Sequence, residues 1–171
     1  MRIPAAAAGS AVFFVLAPGT VAGLIPWSLT HWRIRGPLAH LAPMRVTGLL
    51  LLILGGIVVV RSFARFVIQG RGTPAPVAPT ERLVTGGLYQ HVRNPIYLAV
   101  VAAITGQALA QDQPVLLGYA AAIWVFFAAW VRWVEEPTLA DQFGAQYEAY
   151  RRGVPAWRPR IRPWKQTPSN G

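Results

Sequence analysis

The sequence predicts an all-α integral membrane protein of about four transmembrane helices with a C-terminal amphipathic helix. Three observations predict it. Apolar residues make up 54% of the 171 residues and charged residues only 13%, well below the share of charge that a soluble domain carries. Charge-free stretches long enough to cross roughly 30 Å of hydrocarbon recur along the chain. The remaining charge is lopsided, with 16 Lys+Arg against 6 Asp+Glu and a net charge of +10. In so apolar a chain this excess fits the positive-inside rule and an anionic membrane surface, not nucleic acid. High hydrophobicity also excludes a disordered chain. With no cysteine and three histidines, none in a His-x-x-x-His spacing, there is no thiolate nucleophile and no expected metal.

The first span runs from Pro4 to Leu29 without a charge, and Pro18 and Pro26 predict a kink or break in it. It continues past the roughly 7–15 apolar residues of a signal peptide, which predicts a retained helix. The second span, Val46 to Ile68, carries Arg61 and Arg65 on one helix face, where both can snorkel to an interface. The third, Pro95 to Ala110, is short and opens with proline at a first helical position. The fourth, Val115 to Val134, follows the connection Gln111-Asp112-Gln113-Pro114, so spans three and four form an antiparallel hairpin. Residues 135–154 read as an amphipathic helix with Pro137 in its first turn. Leu139, Phe143, Tyr147, Tyr150 and Val154 recur there at spacings of 3 and 4. Beyond it Pro155, Pro159, Pro163 and Pro168 break regular structure, and Trp157 and Trp164 suit the headgroup region. The organisation is one membrane domain over 1–165: two spans in 1–68, then a loop, hairpin and amphipathic helix in 69–159. Residues 166–171 form a tail expected to be disordered.

Four spans place both termini on one side. Thirteen of the 16 basic residues gather on that side, and Arg33, Arg35 and Arg45 fall in the first loop. The positive-inside rule makes the 13-residue side cytoplasmic. Fifteen of the 16 basic residues are arginine, a usage that suggests a bacterial source and hence an inner membrane.

The chemistry concentrates at that cytoplasmic side. The loop from Gln69 to Asn94 is long for a compact protein, and such loops are functional or disordered. Pro74, Pro76 and Pro79 favour an extended path, and Gly86-Gly87 marks a turn. Gly70 and Gly72 begin like a dinucleotide-binding fingerprint, but no strand precedes them and no third glycine follows, so a Rossmann site is rejected. Tyr89, His91, Arg93, Asn94 and Pro95 then lead into the third span. An arginine beside a helix N-terminus suits a carboxylate ligand; the plainer alternative is a topological arginine with Asn94 as helix cap. Glu135 and Glu136 follow the fourth span, where a helix C-terminus disfavours acids. They meet Arg93 either as an ion pair or, with Tyr89, Tyr97, Tyr147 and Tyr150, as a polar pocket. The two adjacent acids and four tyrosines favour the pocket.

The run LVTGGLYQHVRNPIYL (Leu83 to Leu98), a membrane hairpin, and VEEPTLADQFGAQYEAYRRGVPAWRP (Val134 to Pro159) together resemble the isoprenylcysteine carboxyl methyltransferase family. That family is similar to the membrane phospholipid N-methyltransferases. Its motifs are Arg-His/Asn-Pro-x-Tyr, Glu-Glu-x-x-Leu and Phe-Gly-x-x-Tyr-x-x-Tyr, and all three stand here in order over about Gly70 to Pro159. The first two spans carry no motif. The resemblance implies S-adenosylmethionine bound on the cytoplasmic side between the hairpin, the preceding loop and the C-terminal helix. It implies cofactor contacts from Gly87, Tyr89, Arg93, Asn94, Pro95, Tyr97, Glu135, Glu136, Tyr147, Tyr150 and Arg151, with Phe143 and Gly144 in the third motif. Arg93, Asn94 and Glu135 are the catalytic candidates. Asn94 stands where eukaryotic members have histidine, which argues for an acceptor needing little proton transfer. The methyl acceptor is expected to be a lipidic or apolar small molecule, carboxylate or amine, reached from the bilayer. Membrane lipids are the other expected partners; no nucleic acid or metal is expected. Two other readings stand beside it: an NADPH-dependent membrane reductase of the sterol-reductase type, and a non-enzymatic lipid- or partner-binding membrane protein using the basic stretch Arg151 to Lys165.

Overall fold

The structure is a computed structural model that describes residues 17–35, 42–65 and 82–165. The expectations for most of the first span, for Gly70 and Gly72, for the path through Pro74, Pro76 and Pro79, and for the 166–171 tail lie outside the described residues. Every regular element among the described residues is helical. A π-helical turn, Thr20–Leu24, leads into helix α1, Ile25–Thr30. Helix α2 spans Ala42–Arg65, a 3-10 turn spans Gly87–Gln90, and helices α3, Pro95–Gln111, and α4, Pro114–Trp130, form the hairpin. A second π turn, Val131–Glu135, joins α4 to helix α5, Glu136–Gly153.

Two stretches are long and apolar enough to cross a membrane: Ala42–Ser62 and the helical run Pro114–Gly153. Helix α3 is apolar but, at 17 residues, shorter. Leu49, Leu50, Ile53, Leu54 and Ile57 of α2, and Trp124, Val125 and Phe126 of α4, are exposed. An apolar surface of that extent belongs against lipid or another apolar partner.

Helices α2 and α3 cross backbone to backbone. A Cβ on Gly106 would lie 2.5 Å from the Gly48 carbonyl oxygen and 2.7 Å from the Leu52 nitrogen, and one on Gly48 2.6 Å from the Ala110 nitrogen. Lipid is as apolar as leucine, so helices in a bilayer gain by close van der Waals packing, which small residues permit. Around the crossing Val59, Ala99, Val100, Ile104 and Ala108 join Leu116, Ala120 and Phe127 of α4 in one buried cluster.

Both π turns precede prolines. Pro26 and Pro137 each lie two residues beyond one. A proline ring clashes with the carbonyl four residues back and donates no hydrogen bond; widening the preceding turn relieves the clash. The break expected at Pro26 thus takes the form of a π turn. The freed carbonyls find partners on the hairpin: Tyr119 Oη donates to Val21 O at 2.9 Å and Gln107 Nε2 to Ala22 O at 2.7 Å.

Three expectations are corrected. The helical backbone does not end at Val134: Trp130, Glu135 and Glu136 all keep αR dihedrals. Glu135 and Glu136 therefore do not face a free helix C-terminus, and Glu136 occupies the first turn of α5, where an acid is favoured. The amphipathic helix is not continuous, because Gly144 adopts φ 50° and ψ −127°, a conformation closed to side-chain-bearing residues. The segment after α5, expected only to break regular structure, is not a loose extension: it folds back on residues 90–94, with Trp164 edge-on to Tyr150 at 5.4 Å.

Candidate active site

The site lies at the end of the hairpin where α3 begins and α4 passes into α5. Four backbone features set its frame. Gly87 takes a left-handed φ of 64° and opens the 3-10 turn. The amide of Arg93 donates to Pro155 O at 3.0 Å, that of Arg160 to His91 O at 2.9 Å, and that of Trp164 to Gln90 O at 3.0 Å. His91 Nδ1 lies 2.7 Å from Arg160 O, which fixes the imidazole against the returning segment. Residues 155–164 thus strap the loop that carries Arg93.

Two polar lanes run through this frame. In the first, Arg93 Nη1 donates to Glu136 Oε1 at 2.8 Å and to Tyr147 Oη at 3.0 Å. Both side chains of the ion pair are only 12% exposed. Arg151 reaches the other oxygen of Glu136 at 3.8 Å and Glu148 at 3.4 Å, from a more open position. In the second lane, the Tyr97 hydroxyl donates to Glu135 Oε1, and Trp130 Nε1 donates to the same oxygen at 3.1 Å. Residues five apart point away from each other on an α-helix; the π turn between Trp130 and Glu135 brings them to one face. The Tyr97 ring packs on Phe127 with centroids 4.4 Å apart.

Asn94 sits at the cap position of α3 but makes no capping bond. Its Nδ2 donates to Ala156 O at 3.2 Å, so it ties the start of α3 to the strap. Pro95 is buried behind it. Tyr89, Tyr147 and Tyr150 are buried in a second apolar cluster with Val84 and Val154, and Tyr150 Oη donates to Tyr89 O at 2.7 Å. Burial, reinforced by the neighbouring Tyr150, holds the Tyr89 phenol well above its ordinary pKa and therefore protonated. The Arg93 Nε is buried with no hydrogen-bond partner among the described residues. That leaves one donor of a charged group unmet inside the site.

The structure therefore gathers Arg93, Asn94, Tyr97, Glu135, Glu136, Tyr147 and Arg151 around one end of the hairpin, with Tyr89 and Tyr150 behind them. Gly87 is set apart, packed beside Arg65 of α2. Sequence reasoning missed Trp130 and the strap contacts of His91 and Arg160; only the π turn, signalled by Pro137, hinted at the first. Among the described residues no group of three or more His, Asp or Glu is placed to hold a metal ion.

The three polar motifs on one helical hairpin, with the second membrane-length helix packed against it, have a counterpart among known proteins. A family model described as phospholipid methyltransferase matches residues 43–146. The chain belongs to that family. The match covers more than half the chain and includes α2, which carries no motif legible in the sequence, together with Arg93, Glu135 and Glu136. It ends one residue before Tyr147. Protein-S-isoprenylcysteine O-methyltransferase of Schizosaccharomyces pombe is 36% identical over 80 residues, which take in 46% of this chain and 34% of that protein. The matched part spans about a third of that relative's length. No solved structure matches the chain significantly. Both comparisons name methyltransferases, which does not favour the reductase reading or the non-enzymatic one.

Proposed function

We propose that the protein is an integral membrane methyltransferase that uses S-adenosylmethionine and methylates a lipidic or apolar acceptor drawn from the bilayer. The observation that carries this reading is the buried pair Arg93–Glu136 beside Tyr97–Glu135, with Arg93 Nε unpartnered among the described residues. The residues fit the cofactor's charges. Arg93, two residues before the start of α3, suits its carboxylate. Glu136 suits the ammonium, and Glu135, oriented by Tyr97 and Trp130, suits the ribose hydroxyls. Bound there, S-adenosylmethionine supplies an electrophilic methyl group on a sulfonium. The protein's part is to align the acceptor, exclude water and hold the charges in place. Tyr97 and Phe127 offer ring faces for the cation. Tyr89, Tyr147 and Tyr150, buried as they are, support the site as packing and through the Tyr147 bond to Arg93. Asn94 positions the turn, and Arg151 balances Glu136 from the open side. A carboxylate acceptor arrives ionised and needs no base; an amine acceptor draws on Glu135 or on water.

The reading includes four spans, with the N-terminal span and α3 as the two beyond Ala42–Ser62 and the α4 run, in a bacterial inner membrane. Both termini and the site face the cytoplasm, on the charge asymmetry of the loops. Titration of S-adenosylmethionine into the detergent-purified protein tests it: a saturable thermal shift is expected, weakened far more by Arg93→Ala and Glu135→Ala than by Arg162→Ala. No shift at millimolar ligand, or equal effects of the three variants, overturns it. Mass spectrometry of co-purified lipid then identifies the acceptor class.

A further inference from the structure

The segment after α5 carries a feature that the site does not use. Ile161 is 96% exposed, although its neighbours are bound in place: Arg160 by its amide to His91 O and by its guanidinium to Gly153 O, and Trp164 by its amide to Gln90 O. A fixed isoleucine held out into solvent loses apolar burial with no entropic return. Around it Arg158, Arg162 and Lys165 are exposed. The last acidic residue of the chain is Glu148, so no carboxylate between 149 and 171 neutralises them. The root of the segment lies against a membrane helix. Trp157 packs edge-on to Trp124 of α4 at 6.3 Å and joins the cluster of the spanning helices. Ile161 is four residues beyond Trp157, a reach of at most about 14 Å. Ile161 and its cations therefore lie within that distance of a helical run long and apolar enough to cross a membrane.

We propose that residues 158–165 are a docking surface for anionic phospholipid, with Ile161 as the apolar anchor and Arg158, Arg162 and Lys165 as the headgroup contacts. Charge complementarity selects the partner: cations close to an anionic leaflet each gain about a fivefold preference, and an inserted side chain adds to it. Docking also acts on the site's frame. The same segment gives the bonds Arg160 N to His91 O and Trp164 N to Gln90 O, and it continues directly from Pro155 and Ala156, which accept from Arg93 N and Asn94 Nδ2, so lipid that holds it also steadies the loop bearing Arg93. This inference rests on exposure, charge and packing and stands apart from the methyltransferase reading.

The chain has no cysteine, so Ile161→Cys accepts a single environment-sensitive fluorophore. The full-length protein is reconstituted in vesicles of phosphatidylcholine alone and of phosphatidylcholine with phosphatidylglycerol. In the mixed vesicles the label is expected to be quenched by spin-labelled lipid and shielded from aqueous iodide. In the variant Arg158→Gln/Arg162→Gln/Lys165→Gln that lipid preference falls on the order of a hundredfold. A label equally open to iodide in both vesicles overturns the proposal, as does equal burial in both, which needs no anionic lipid. Hydrogen exchange at the amides of Arg93, Arg160 and Trp164 reads the second half: exchange slowed several-fold by anionic lipid is expected, and unchanged exchange overturns the link to the site.

Discussion

The glycine contact of α2 with α3 at Gly48 and Gly106 lies about three turns of α3 from the polar end of the hairpin, yet the two are held together by opposite means. At the crossing, Gly48 and Gly106 remove side chains so that backbones touch, and the contact is dispersion. At the polar end charges and hydrogen bonds join segments remote in sequence, backed by a buried cluster of tyrosines and valines: Arg93 to Glu136, Tyr97 to Glu135, Arg93 to Pro155. The difference teaches which part of the molecule is frame and which is instrument. A close-packed crossing fixes geometry and offers nothing to a ligand. A buried ion pair contributes little net stability but is strongly damaging to break, which suits a site whose charges are exchanged with a ligand.

The largest effect that tests this contrast is at Arg93. Arg93→Ala leaves Glu136 buried with only Arg151, 3.8 Å away, as cationic partner. Breaking such a pair costs about 3–5 kcal/mol, and S-adenosylmethionine binding by calorimetry is expected to vanish. Arg93→Lys keeps the charge but loses the Nε donor and the reach by which Nη1 serves both Glu136 and Tyr147, and restores stability more than binding. Binding fully retained in Arg93→Ala breaks the contrast from the side of the site.

Gly106→Leu tests it from the other side. The added carbons meet Gly48 O and Leu52 N and push α2 from α3, at about 1–3 kcal/mol of overpacking. The thermal midpoint is expected to fall, while the cofactor affinity of the protein still folded changes little. A loss of affinity as large as that of Arg93→Ala shows that the two regions are not separable.

The contrast also explains what was legible in the sequence. Helices α2 to α5 lie within a few residues of where apolar runs, Pro95, Pro114 and the Leu139-to-Val154 spacing put them, because burial period and proline chemistry are local signals. Arg93, Glu135 and Glu136 stood out because charges are scarce in an apolar chain. The strap was illegible: backbone bonds between residues 90–94 and 155–164 leave no mark on side-chain identity. The crossing glycines were equally silent, since a glycine in an apolar run reads the same whether or not another backbone lies against it. The break at Gly144 was hidden in a periodic pattern that continues on both sides of it.

That break gives the third prediction. Gly144→Ala puts a Cβ at φ 50° and ψ −127°, where only strain opposes it, since nothing lies within 4 Å of that carbon. The cost is on the order of 1–3 kcal/mol, and it falls on α5, which carries Glu136 and Tyr147. Stability and cofactor affinity are expected to drop together, between the two cases above. An unchanged thermal midpoint shows that the helix tolerates straightening.

The smallest effect lies where the two means of cohesion meet, at the π turn before Pro26. Tyr119→Phe removes the donor to Val21 O and nothing else. Hydrogen bonds between membrane helices average about 0.6 kcal/mol by double-mutant cycle, so a shift of one or two degrees in thermal midpoint is expected, with cofactor binding untouched. Pro26→Ala sharpens the test, because it returns a backbone N–H to a turn whose carbonyls otherwise depend on Tyr119 and Gln107. If proline is the reason those side chains are needed, Tyr119→Phe costs less in the Pro26→Ala background than alone. Equal costs in both backgrounds make the hydroxyl an ordinary interhelical bond, and the π turn a feature that the hairpin does not serve.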